Sequence, residues 1–208
     1  MSPEAEDRSP VARVAGVVLA GGRSVRFGGE KASALLAGKP LVLWAAERLR
    51  PVCAHVAVNA RPGSEAEALA RAAGFPVLHD LPGDAAGPLA GVRAGLLWAV
   101  ETGAHSLAVS PCDAPLLPAD LYPRLIAAAG AGAAMAETAD GVQPLCAVWP
   151  VSALGALAAA LAGGAHPATW RMLEGIGARR VRFAQAQDFA NLNTREELAA
   201  IAARFAPR

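Results

Sequence analysis

VAGVVLAGGRSVRFGGEK, Val14–Lys31, is the stretch that decides the fold. An apolar run ends in Gly21-Gly22, and Arg23, Arg26 and Lys31 follow among small or flexible residues. Glycine lets backbone N–H groups approach an anion closely, cations neutralise it, and a buried strand feeding the loop holds it rigid. Spacing excludes the two common glycine motifs. A Walker A loop needs G-x-x-x-x-G-K-[ST], and here Glu30 separates Gly29 from Lys31. The dinucleotide fingerprint needs G-x-G-x-x-G, and Gly21-Gly22 breaks that spacing. The stretch reads as a strand leading into a triphosphate-binding loop of another kind.

Working outward, short apolar runs alternate with alanine- and leucine-rich segments. Strands are predicted at 14–20, 55–59, 76–80, 106–110, 133–137, 143–149 and 179–184. Helices are predicted at 40–49, 64–74, 88–103, 117–130, near 151–162 and 167–175, and at 194–205. Ser64 and Gly74 suit the ends of the second helix, and Pro40 suits the first turn of the first. Repeated strand–helix–strand units imply a three-layer α/β/α fold around a Rossmann-like, mostly parallel sheet. Ligands bind such sheets at the carboxyl ends of the strands, so the loops beginning at Leu19, Asn59, Asp80 and Ser110 should share one edge. Residues 1–12 are expected to be a flexible tail and residues 13–208 one domain.

Composition narrows the class. The 208 residues are 54% hydrophobic with a formal charge of +1, which suits a packed core and excludes a disordered chain. No global field favours nucleic acid or an anionic membrane, so anion selectivity must be local. Cys53, Cys112 and Cys146 are widely spaced without C-x-x-C, as expected in a reducing compartment. No run is long and apolar enough to span a bilayer, and MSPEAEDRSPVAR lacks the pattern of a signal peptide. The expectation is a cytoplasmic protein.

Two further segments carry chemistry. In SPCDAPLLP (110–118), Asp113 follows a buried strand between Pro111 and Pro115, which restrict the backbone. A carboxylate beside a triphosphate loop is a candidate Mg²⁺ ligand, because Mg²⁺ takes one or two carboxylates plus substrate phosphates. Asp120 better fits a helix-capping role. The glycine- and proline-rich HDLPGDAAGPLAG (79–91) can bring its backbone against a planar base, with Asp80 or Asp84 accepting from a purine amine or a sugar hydroxyl. Asn59 ends its strand at the same edge. In the tail, Thr194 and Glu197 fit a capping box, leaving Asn191 and Asn193 on one side of an extended backbone. Trp44 and Trp98 are expected in the core, and Trp170 and Arg171 in packing rather than in a ligand site.

LAGG-RS-RFGG-EK-A, VAVNA, HD…GPLAG, PCDAPLLP and FANLNTREEL together resemble the molybdenum cofactor guanylyltransferases, the MobA family, over nearly the whole chain. The first loop alone matches only the wider nucleotidyltransferase superfamily. The resemblance implies transfer of GMP from GTP to the terminal phosphate of molybdopterin, with release of pyrophosphate. It places GTP-binding positions on Leu19, Ala20, Gly21, Lys31, Asn59, Asp80 and Asp113, and Mg²⁺ on Asp113; Gly22, the second glycine of the loop, is expected to bind GTP with them. Lys31, Arg26 and Asp113 are the expected catalytic residues. Asn191 and Asn193 fall on the molybdopterin side, and contacts with other cofactor-biosynthesis proteins are implied. Many relatives have aspartate where Glu30 stands, so Glu30 receives no role; Phe27 in place of methionine reads as packing. Alternatives are a cytidylyl or sugar-phosphate nucleotidyltransferase of the same fold, or a nucleotide-binding module without turnover.

Overall fold

The computed structural model describes residues 14–22 and 27–202. The tail expected at 1–12, together with Arg23 and Arg26, lies outside the described residues. In chain order the elements are β1 (Val14–Leu19), β2 (Leu35–Leu36), β3 (Lys39–Pro40), α1 (Leu41–Leu49), β4 (His55–Asn59), α2 (Glu65–Ala72), β5 (Val77–Leu78) and α3 (Pro88–Glu101). There follow β6 (Ser106–Pro111), α4 (Leu121–Ala129), β7 (Ala134–Thr138), β8 (Gly141–Pro150), α5 (Leu154–Leu161), α6 (Thr169–Gly175), β9 (Arg179–Arg182) and α7 (Arg195–Ala202).

Seven strands form one sheet in the order β5-β4-β1-β6-β8-β7-β9. β5, β4, β1 and β6 are mutually parallel, and β9 runs parallel to β7. β8 runs against both its neighbours. Its direction follows from the link to β7: only Ala139 and Asp140 separate the paired Thr138 and Gly141, and two residues make a hairpin but never a crossover. Gly141, with φ +113°, supplies the left-handed conformation in this turn.

Side chains of β1 alternate between two cores. Val14 and Val18 pack with α1, α2 and α4; Ala15 and Val17 pack with α3, α5 and α6. Gly95 lets α3 lie flat on the sheet, since a Cβ there would come within 2.8 Å of Leu107. Ser64 caps α2 as expected, accepting from the Glu67 amide at 3.2 Å. Asp120 stands at the N-cap of α4 but makes no side-chain capping bond.

Two features differ from the sequence reading. The β2–β3 hairpin was not predicted: each strand is two residues long, and the turn is Ala37-Gly38 (φ +50° and +78°), not Asn-Gly. It helps build a satellite core of Leu36, Leu41 and Leu192, against which Trp44 and α7 pack. Trp44 and Trp98 are only half-buried. The Trp44 indole donates to the Leu36 carbonyl at 2.9 Å and lies beneath the Lys39 ammonium, and Trp98 meets His55 edge-on. The fully buried indole is Trp149, on β8. Trp170 is 38% exposed, with the Arg171 guanidinium over its ring.

Candidate active site

A cavity of about 710 Å³ opens at the carboxyl ends of β1, β4 and β6. Its walls include Leu19, Ala20, Gly21 and Gly22 after β1, Asn59 after β4, Asp80 after β5, and Asp113 after β6. Lys31 enters from a single 3-10 turn, Lys31–Ser33, and Asn193 from the segment before α7. Loops far apart in sequence thus meet because parallel strands end on the same edge.

Lys31 is the centre of the polar cluster. It is 9% exposed. Its ammonium donates to Asp113 Oδ2 at 2.9 Å and to Asn193 Oδ1 at 3.0 Å. A buried ammonium needs such partners, since desolvation of an unpaired charge is costly. An ammonium only donates, so Asn193 must turn its oxygen inward. The Asn193 backbone is anchored beside it: Leu192 donates to the Asp113 carbonyl at 2.8 Å and buries its side chain in the satellite core. Thr194 and Glu197 form the expected capping box, with the Glu197 amide bonding Thr194 Oγ1 and the Thr194 amide bonding Glu197 Oε2, both at 3.1 Å. Asn191 is exposed and does not line the cavity; its carbonyl accepts weakly from Asn193 Nδ2 at 3.4 Å.

Glu30 acquires a function that the sequence did not show. Its carboxylate accepts from the amides of Glu65 and Ala66 at 2.8 and 3.1 Å, capping the first turn of α2. The residue before Lys31 is thereby tied to a helix of the outer layer. Phe27 is buried and lines the cavity, in keeping with packing. Arg61, which also lines the cavity, was missed; the available signal was a cation two residues past the end of β4.

Asn59 is 4% exposed and lines the cavity at the end of β4. Its Nδ2 donates to Asp80 Oδ1 at 3.0 Å. Gly91, the last residue of GPLAG, makes room for it: a Cβ there would meet Asn59 Oδ1 at 2.4 Å and Leu19 Cδ2 at 2.8 Å. Asp84 is turned away from the cavity and paired with the Arg93 guanidinium, so of the two acids in this loop Asp80 is the one at the wall.

Among the described residues, no three His, Cys, Asp or Glu side chains converge as a metal cage. One cavity carboxylate at Asp113 fits a hard cation whose remaining ligands are phosphate oxygens and water. Cys112 lines the same wall, but burial, with the Asp113 carboxylate adding to it, pushes its thiol up to about 12. A neutral thiol is a poor nucleophile. Cys112→Ala is therefore expected to retain turnover. Alkylation of Cys112 in the wild-type chain, followed by mass spectrometry, should be slow at neutral pH and accelerate only as pH rises toward that value.

The sheet edge, the glycine loop and the paired lysine and aspartate define a nucleotidyltransferase. The chain belongs to the MobA-like NTP transferase domain family, whose model matches residues 16–181. Enzymes of this family are generally metal-dependent. A molybdenum cofactor guanylyltransferase from Cereibacter sphaeroides is 43% identical over 188 residues, covering 90% of this chain and 94% of that protein. One from Cupriavidus taiwanensis is 39% identical over 201 residues, covering 92% and 97%. The crystal structure of molybdopterin-guanine dinucleotide biosynthesis protein A from Archaeoglobus fulgidus is similar with a TM-score of 0.72 at 25% identity, covering 92% of this chain and 98% of that one. A 4-diphosphocytidyl-2C-methyl-D-erythritol synthase from Anaerococcus prevotii shares the fold, with a TM-score of 0.70 at 10% identity over 92% and 95% of the two chains. No helix among the described residues is long and apolar enough to cross a membrane.

Proposed function

We propose that this chain transfers GMP from GTP to the terminal phosphate of molybdopterin, forming the guanine dinucleotide cofactor and releasing pyrophosphate. In this reading residues 13–208 act as one domain in the cytoplasm, in line with three free thiols among the described residues. One observation carries it. Lys31 Nζ lies between Asp113 Oδ2 and Asn193 Oδ1 on a cavity wall, so the cation, the metal-binding acid and the acceptor-side segment meet at one point. The names of the relatives support the guanylyl half.

GTP lays its triphosphate along Leu19, Ala20, Gly21, Gly22 and Lys31, and its base toward Asn59, Asp80 and residues 86–88. Asp113 would hold Mg²⁺, which supplies charge neutralisation at the phosphates when bound. Lys31 turns donor capacity from Asp113 toward phosphate oxygens as they arrive, and Arg26 is assigned the same task. An oxygen of the molybdopterin phosphate attacks the α-phosphorus, and the bond from that phosphorus to the bridging oxygen of pyrophosphate breaks. A phosphate monoester is largely ionised near neutral pH, so no side chain has to remove a proton. The protein's part is positioning and charge compensation. On the acceptor side we assign Asn191 and Asn193, and other cofactor-biosynthesis proteins as transient partners that deliver molybdopterin.

The decisive measurement is pyrophosphate release with Mg²⁺ and molybdopterin, supplied with GTP or CTP. Rapid release from GTP and slow release from CTP is expected. Equal rates would overturn the guanylyl assignment, and no release from either would leave a binding module without turnover.

A further inference from the structure

The first turn of a helix leaves backbone N–H groups without partners inside the helix. In α3 the N-cap is Gly87, which has no side chain to offer, and Pro88 has no N–H. Leu89 is thus the first residue of α3 with an amide to satisfy. It donates to Nε2 of His166 at 3.2 Å, across 77 residues of sequence. The imidazole packs so closely on the turn that a Cβ at Gly87 would lie 2.3 Å from Nε2. Pro167 biases His166 toward extended backbone, which directs the ring from the stretch between α5 and α6. The turn it grips, Ala86, Gly87 and Pro88, lines the cavity.

We propose that His166 is a positioning residue for the nucleotide: it pins this turn and so sets where the base of GTP sits. The proposal rests on the reading above, in which residues 86–88 face the base. Nε2 is the acceptor, so in this arrangement the ring proton is on Nδ1. The grip is on the base end of the cavity, while Lys31 and Asp113 handle the phosphates. Its loss therefore weakens GTP binding and leaves the chemical step unchanged.

The test compares His166→Leu, which keeps bulk without an acceptor, with His166→Gln, which restores an acceptor. With molybdopterin saturating, His166→Leu is expected to raise KM for GTP about tenfold, because the turn at Ala86, Gly87 and Pro88 loses the anchor that holds it against the base. The kcat and the KM for molybdopterin stay unchanged, the Tm falls by a few degrees, about 2–4 °C, because the Leu89 amide loses its partner, and His166→Gln recovers most of the affinity. An unchanged KM for GTP, or a loss confined to kcat, overturns the proposal. A second measurement needs no variant. In the wild-type chain the His166 ring resonances should shift when GTP is added and not when pyrophosphate is added; no shift with GTP overturns the proposal. Equal use of GTP and CTP by the wild-type chain would instead overturn the guanylyl reading, which separates the two failures.

Discussion

Asp113→Asn is expected to lower pyrophosphate release by about a thousandfold or more, beyond the loss of a single preorganised donor. The variant keeps the shape and one acceptor oxygen but removes the charge that would hold Mg²⁺. It also removes the counter-charge of Lys31, 2.9 Å away. The Lys31 and Asp113 side chains retain 11% and 22% of their exposure, so the pair lies between the surface and fully buried limits. A stability loss of about 1–3 kcal/mol follows. For a chain of this size each kcal/mol lowers Tm by about 2–4 °C, so the variant still folds at room temperature. Thermal denaturation and turnover, measured on the same preparation, separate the two effects. A folded variant with near-normal turnover would remove Asp113 as the metal ligand.

Lys31→Gln is the second large effect. Loss of transition-state stabilisation of about 3 kcal/mol is expected, or on the order of a hundredfold in kcat/KM. Its cost to stability should be smaller than that of Asp113→Asn, because the carboxylate left behind is the more exposed partner. Asn193 supplies the internal control. If it orients Lys31, then Asn193→Ala costs much less activity in the Lys31→Gln background than alone, as contacting residues in one network show. Additive losses, with the Asn193 effect confined to KM for molybdopterin, would assign Asn193 to the acceptor alone. An unchanged kcat/KM for Lys31→Gln would contradict its role at the phosphates.

Much of the fold was legible because periodicity is local. Val14–Leu19, His55–Asn59 and Ser106–Pro111 are apolar runs that only a doubly covered strand can bury, and their order implied the shared edge. The hairpin at 35–40 was not legible, because two-residue strands carry too few side chains to show a period. Nor was the direction of β8, which a two-residue turn dictated. Within the site, Lys31 and Asp113 stood out through glycine and proline neighbours that announce a rigid loop. Arg61 did not, since a lone cation after a strand is common on any surface.

By itself, the sequence determined the layered fold, the edge that bears the site and the residue types gathered there, because hydrophobic pattern and loop chemistry act over a few residues. Only the tertiary structure decided which of these residues touch. It put Asn193 on Lys31, Glu30 on the first turn of α2, Asp84 on Arg93 and His166 on the amide of Leu89. Each is a contact between a polar group that folding would otherwise leave unpaired and a partner that the sheet order brings near. Sequence distance does not encode such pairings: desolvation demands a partner, and the packed fold determines which one is within reach.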